Sequence, residues 1–209
     1  MTKMFRKYLL LTLLVMVFTG ICSAQNKKNL RFHAGLKFGL TASQINGDNL
    51  AGYNKLGLTG GLKLLSNVSR RADVGLEILY SQRGAKSKRS ASEYNYNLID
   101  LQYIEIPIYL NLKDWLTEDK FYRMNFQAGL SYSRLFNSNT EDYHYFIISA
   151  EEFNKSDISW LLGASYFVNR HFAISARYNR SLTKLWNPPG PQKSIWVAHF
   201  LTFDASFIF

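Results

Sequence analysis

Beyond the first thirty residues the chain repeats one pattern eight times: apolar residues on one parity, small or polar residues on the other. The stretches lie near residues 30–42, 55–65, 72–84, 99–112, 121–136, 157–168, 171–184 and 197–209. In "RMNFQAGLSYSRLF", residues 123–136, Met124, Phe126, Ala128, Leu130 and Tyr132 share one parity, and Asn125, Gln127, Gly129, Ser131 and Ser133 the other. A period of two marks a strand whose two faces meet different surroundings. Such a repeat restricts the chain to an all-β sandwich or barrel, and the charges decide which surroundings each face meets.

From Phe32 to Leu40 and along each later run as far as its closing apolar residue, such as Tyr80, Tyr132 or Tyr178, the apolar parity is almost free of charge, with His199, near a strand end, as its one ionisable residue. Lys37, Lys63, Glu77, Arg83, Glu105, Arg177 and Asp204 fall on the opposite parity, among glycines and serines. A soluble lipocalin-like or avidin-like barrel needs the reverse, apolar inside and charged outside. A charge at the midplane of a bilayer costs about 2–4 kcal/mol, so the charge-free parity reads as a lipid-facing wall. No apolar run of helix-spanning length follows residue 24, and without one only a closed barrel satisfies every backbone group in lipid. The expected fold is an eight-stranded antiparallel up-and-down transmembrane β-barrel with a polar, plugged lumen.

The connections support this. They alternate between short (67–71, 113–120, 169–170) and long (43–54, 85–97, 137–156, 185–196), as short periplasmic turns and longer outer loops do. With that orientation Tyr80, Tyr132, Trp160 and Tyr178 fall at the outer strand ends, and Phe32, Tyr166, Phe172 and Phe207 at the inner ends. Aromatic girdles at both interfaces are expected of a membrane barrel.

The N-terminus, "MTKMFRKYLLLTLLVMVFTGICSAQ", has basic Lys3, Arg6 and Lys7, an apolar run and small residues ending at Ala24. This is the layout of a secretory signal peptide cleaved before Gln25, which assigns 1–24 to the signal and 25–209 to the barrel domain. The apolar run is short for a membrane anchor. Cys22 follows Ile21, whereas a lipidated cysteine follows a small residue. Because Cys22 is the chain's one cysteine, the mature chain has no disulfides to staple it. The formal charge of +10 falls by three, to +7, with the signal removed. An exported chain with no basic helix is a poor nucleic-acid binder, so outer-membrane lipid headgroups and lipopolysaccharide are the better anionic partners.

"LTFDASFIF" ends on Phe207 and Phe209, aromatics two apart, and looks like the signal by which the barrel-assembly machinery recognises outer-membrane proteins. Together with "GLKFGLTAS", "ILYSQRGAK" and "LQYIEIPIYLNL", it makes the mature chain resemble the PorT-like outer-membrane barrel family of Bacteroidota. "YIEIPIYL", residues 103–110, is the most specific piece. The resemblance implies localisation in the cell outer membrane, and the family's namesake links it to protein export by the type IX secretion system. Pro107 within that motif removes a ladder donor in mid-strand, which calls for a bulge or a donor-free position.

Four groups of residues are candidates for function. Lys37, Lys63 and Arg177 facing Glu77, Glu105 and Asp204 form a lumen charge network, either an ion path or a salt-bridged plug. Eight strands leave an interior just filled by side chains, which favours the plug. The outer loops carry Tyr94, Tyr96, Tyr143, Tyr145, Phe146, Trp186 and Trp196 with the stiff "NPPGP" of 187–191, suited to a binding surface or to interfacial anchoring. Rim catalysis would fall to Glu141, Asp142, His144 or His199, but nothing places a nucleophile beside a base, so no catalytic residue is assigned. Glu141, Asp142 and His144 share one loop without a second ligand cluster, so no metal and no cofactor are expected. The expected role is that of a non-enzymatic structural or partner-binding component, linked by the resemblance to secretion. The alternatives are a narrow pore for ions or small solutes, and a lipid-modifying enzyme or protease at the outer rim.

Overall fold

Each alternating run pairs with the next one in sequence, because a neighbour across a short turn costs the least chain entropy to reach. In the computed structural model, which describes residues 32–46, 52–86, 97–142, 153–185 and 196–209, the result is a closed barrel. Its strands are β1 (Phe32–Asn46), β2 (Lys55–Ser69), β3 (Ala72–Lys86), β4 (Asn97–Leu116), β5 (Tyr122–Asp142), β6 (Ser156–Phe167), β7 (Phe172–Ser181) and β8 (Val197–Ile208). β8 returns antiparallel to β1, with Leu36 opposite Phe207 and Gly39 opposite Asp204, so no edge is left open. The eight-stranded antiparallel barrel is the fold expected from the sequence. Residues 1–24 and the cleavage point at Ala24 lie outside the described residues.

The two parities face as the alternation requires. Phe38, Leu62, Ile78, Ile108, Leu130, Leu162, Ile174 and Phe203 are exposed on the outer wall, while Lys37, Glu77, Glu105 and Arg177 are buried inside. An outer surface so apolar is a liability in water and an asset in hydrocarbon. Several strands outrun their alternating stretches, β5 furthest: it reaches Asp142 rather than 136. A register shift against β4 at Gln102 and Tyr103 accompanies the extension and turns both strands beyond the expected boundary.

The lumen departs from the expected polar interior at both ends. Toward the long connections, Ile45, Ile99, Leu101, Tyr103, Leu185 and Trp196 form a buried apolar cluster. Toward the short turns, Leu65, Tyr109, Leu161, Phe167, Ala173 and Ile208 form a second. Inward residues near the barrel mouths pack on one another instead of on lipid or water, and the charged belt lies with them in the same closed interior.

Two local features shape the wall. No bulge occurs at Pro107: pairing between β3 and β4 stops after Leu76 and Ile108 and resumes at Leu79 and Glu105 in the same register. The ladder opens where the proline has no N–H to give, so Pro107 occupies the donor-free position. Gly75, opposite Tyr109 on β4, lets that ring fold across the wall, since a Cβ there would lie 2.3 Å from the ring.

Candidate functional site: the filled lumen

Two ion clusters are built from inward charged residues of seven strands, all but β5. In the first, the hub is Glu77 of β3. Arg177 of β7 grips it with two parallel bonds, Nη1 donating to Oε2 at 3.0 Å and Nη2 to Oε1 at 3.1 Å. Lys37 Nζ lies 3.3 Å from Glu77 and 3.0 Å from Asp204, Lys63 Nζ lies 3.9 Å from Glu77, and Tyr109 Oη donates to Glu77 Oε1 at 2.7 Å. Arg177 Nη2 also donates to Gln127 Oε1 at 2.9 Å, and Gln127 Nε2 passes the chain on to Ser165 Oγ at 2.8 Å. A buried carboxylate is tolerable only when its lone pairs are filled in this way.

The second cluster inverts the arrangement around Arg83 of β3. Its guanidinium pairs with Glu105, lies 3.5 Å from Asp157 and donates to Ser81 at 3.0 Å and Ser133 at 3.1 Å. Ser131 donates to Glu105 at 2.8 Å, while Ser181 and Thr183 donate to Asp157 at 2.9 and 2.6 Å. The Arg83 guanidinium also stacks over the Phe200 ring at 3.8 Å, which joins the cluster to aromatic packing above the belt. A cavity of about 10 Å³ beside Ser43, Arg83 and Tyr103 has room for about one water molecule.

The structure thus brings Lys37, Lys63, Glu77, Arg177 and Asp204 together and sets Glu105 apart with Arg83. Arg83, placed on the inward parity but not in the network, is a further member, as are Asp157 and Tyr109. Asp157 has the inward parity at the start of β6, and Tyr109 has the signal of an inward aromatic flanked in register by Gly75 and Gly129. Nearer the short turns Lys113 pairs with Asp73 at 2.7 Å, and at the opposite end Lys55 pairs with Asp100 at 3.2 Å.

The remaining candidates are dispersed. His199 faces outward, its ring edge-on to Tyr53 at 5.3 Å, with no carboxylate or hydroxyl bonded to it among the described residues. Among those residues no group of three or more His, Cys, Asp or Glu converges as a metal site would. Tyr94, Tyr96, Tyr143, Tyr145, Phe146, Trp186 and His144 lie outside the described residues, as do the side chains of Glu141 and Asp142. Trp196 is a correction to the expected loop surface: it is 7% exposed, packed into the apolar cluster at the long-connection end. It stands one residue before β8, where the chain has already turned inward. Phe207 and Phe209 are exposed on the outer wall with ring centroids 5.6 Å apart, and the Phe209 N–H donates to Ala34 O at 2.8 Å.

Comparison with known proteins agrees with this architecture. The family model described as outer membrane protein beta-barrel domain matches residues 23–187. Among solved structures the chain is similar to Ail, the attachment invasion locus protein of Yersinia pestis, at 13% identity over 86% of this chain and 100% of that one, with a TM-score of 0.50. Neisserial surface protein A aligns at 11% identity over 86% and 98% of the two chains, TM-score 0.49. OprG of Pseudomonas aeruginosa aligns at 11% identity over 85% and 94%, TM-score 0.41. At such identities the likeness to Ail speaks for the fold alone. No curated protein matches the sequence. An apolar wall, a closed ladder and a family model spanning most of the chain make this an integral protein of the outer membrane. The chain belongs to the outer membrane protein beta-barrel domain family.

Proposed function

We propose that this chain is a non-enzymatic structural or partner-binding component of the outer membrane, exported by a signal peptide cleaved near Ala24. The observation that carries this reading is the filled lumen. Two ion clusters and two apolar clusters occupy the interior, so the barrel serves as a rigid mount and recognition falls to what it mounts. Outside, those parts are the aromatic loops with Tyr94, Tyr96, Tyr143, Tyr145 and Trp186; inside, they are the short turns after β2, β4 and β6. The PorT-like resemblance of "YIEIPIYL" extends the reading to protein secretion, with a partner from an export apparatus. Phe207 and Phe209 serve the barrel-assembly machinery during insertion.

Crosslinking in the native outer membrane, followed by purification and identification of bound proteins, tests this. The expected result is a reproducible partner, lost when the turns at 69–72 or 116–122 are replaced. Repeated recovery of a lone barrel would contradict it.

A second reading, a narrow pore, is favoured by one observation. Thr41 Oγ1, Ser159 Oγ, the Asn179 amide and Ser206 Oγ, on β1, β6, β7 and β8, are buried without a protein hydrogen-bond partner. Such groups are satisfied by water, and a connected file of water is what a pore needs. Bilayer recordings on the parent, Glu105→Ala and Arg177→Ala separate the two readings, because a plug that is opened conducts where the parent does not.

A further inference from the structure

Two strands carry a tyrosine and, two residues later, an arginine on their outer faces, with one more exposed apolar residue, Phe136 or Leu182, beyond each. β5 carries Tyr132-Ser133-Arg134 and β7 carries Tyr178-Asn179-Arg180. In each, the arginine lies two residues past the tyrosine toward the long connections and projects from the same outer face. Both arginines are exposed. Arg134 Nη1 donates to Ser156 Oγ at 2.8 Å, and Tyr132 Oη lies 3.1 Å from that hydroxyl, so a neutral contact orients the guanidinium and leaves its charge unneutralised. Arg180 stands opposite Trp160 on β6 and His199 on β8, and the Trp160 and Tyr178 rings meet at 5.4 Å. Lys184 is exposed at the same end.

Among the described residues no carboxylate pairs with Arg134, Arg180 or Lys184. Asp157, the nearest acid in sequence on β6, points inward and is held by Arg83, Ser181 and Thr183. The far side of the barrel is built differently. There Tyr80 of β3 is followed two residues later by Gln82, whose amide donates to Asp100 at 3.0 and 2.8 Å, and Lys55 closes on the same carboxylate. Among the described residues, Arg134, Arg180 and Lys184 thus gather positive charge without a carboxylate partner on the β5 to β8 side.

A guanidinium on a lipid-facing wall is costly unless it reaches the headgroup layer and finds a counter-ion there. The aromatic rings immediately below both arginines mark that layer. A guanidinium fork matches a phosphate group, and paired forks on alternate strands match a headgroup with more than one phosphate. We propose that the outer end of β5 to β8 binds the phosphorylated headgroup of lipopolysaccharide. Arg134 and Arg180 are its phosphate ligands, and Trp160 and Tyr178 sit against its acyl boundary. The site rests on the long connections facing outward and is independent of any protein partner.

Native mass spectrometry of the full chain in detergent tests this with three probes: lipid A bearing two phosphates, the same lipid dephosphorylated, and phosphatidylglycerol. The parent is expected to retain the phosphorylated lipid A, and the double variant Arg134→Gln/Arg180→Gln to bind it at least about tenfold more weakly. Arg134→Lys/Arg180→Lys is expected to recover part of the binding, and Arg70→Gln/Arg71→Gln at the opposite end to bind as the parent does. Equal retention by the double glutamine variant, or retention of the dephosphorylated lipid or of phosphatidylglycerol as tightly as lipid A, would overturn the proposal. Heat-dependent gel migration confirms that each variant is folded, and the three-lipid comparison on the parent decides the matter if one is not.

Discussion

The two ion clusters in the lumen solve the same problem with opposite hubs. Around Glu77 one carboxylate gathers Lys37, Lys63 and Arg177; around Arg83 one guanidinium gathers Glu105 and Asp157. Counting Asp204 with the first, that cluster has one positive charge in surplus and the second one negative, so the belt is neutral as a whole. The difference lies in how each can fail. Carboxylates left without a partner can take up protons, whereas Arg177 cannot shed its own, so the Glu77 hub has no neutral fallback for one of its three cations.

The largest effect is therefore expected at the acidic hub. Glu77→Ala leaves buried Arg177 and Lys63 without a carboxylate and Lys37 with Asp204 alone, and is expected to destabilise the barrel by about 3–5 kcal/mol. Denaturant unfolding in lipid vesicles measures it, and a loss under about 1 kcal/mol would show that the cations reach water or other partners. Arg83→Met is expected to cost less, about 2–3 kcal/mol at neutral pH, because its apolar replacement still packs on Phe200. A loss in the same unfolding assay as large as that of Glu77→Ala would break the comparison. The smallest effect belongs to Tyr109→Phe, which removes one hydrogen bond to Glu77 and leaves the ring over Gly75, for about 1–2 kcal/mol in the same assay.

The wall was far more legible in sequence than the contents of the lumen. Alternation specifies which residues of a strand share a face, and neighbouring strands were already in chain order, so the barrel followed from parity alone. Inward charges such as Lys37 and Glu77 were equally visible. Their grouping was not, because Glu77 and Arg177 are 100 residues apart on strands that do not pair, and only the curvature and stagger of the closed barrel decide which of them meet. The apolar ends were missed for a different reason. Where Ile45 and Leu101 face inward their outward neighbours are polar, Gln44 and Asn46 for the first and Asp100 and Gln102 for the second, so the apolar parity changes sides near the rim and no longer identifies the wall. Pro107 was legible as a constraint, but the choice between a bulge and an open ladder was made by β3.

The most direct test is single-channel recording of the purified full chain in planar bilayers, with Glu77→Ala measured alongside. A filled, non-conducting lumen predicts a silent parent, with any conductance confined to the variant that empties the acidic hub. Reproducible stepwise currents through the parent, lost in Arg177→Ala, would contradict the account and make the ion clusters the lining of a pore.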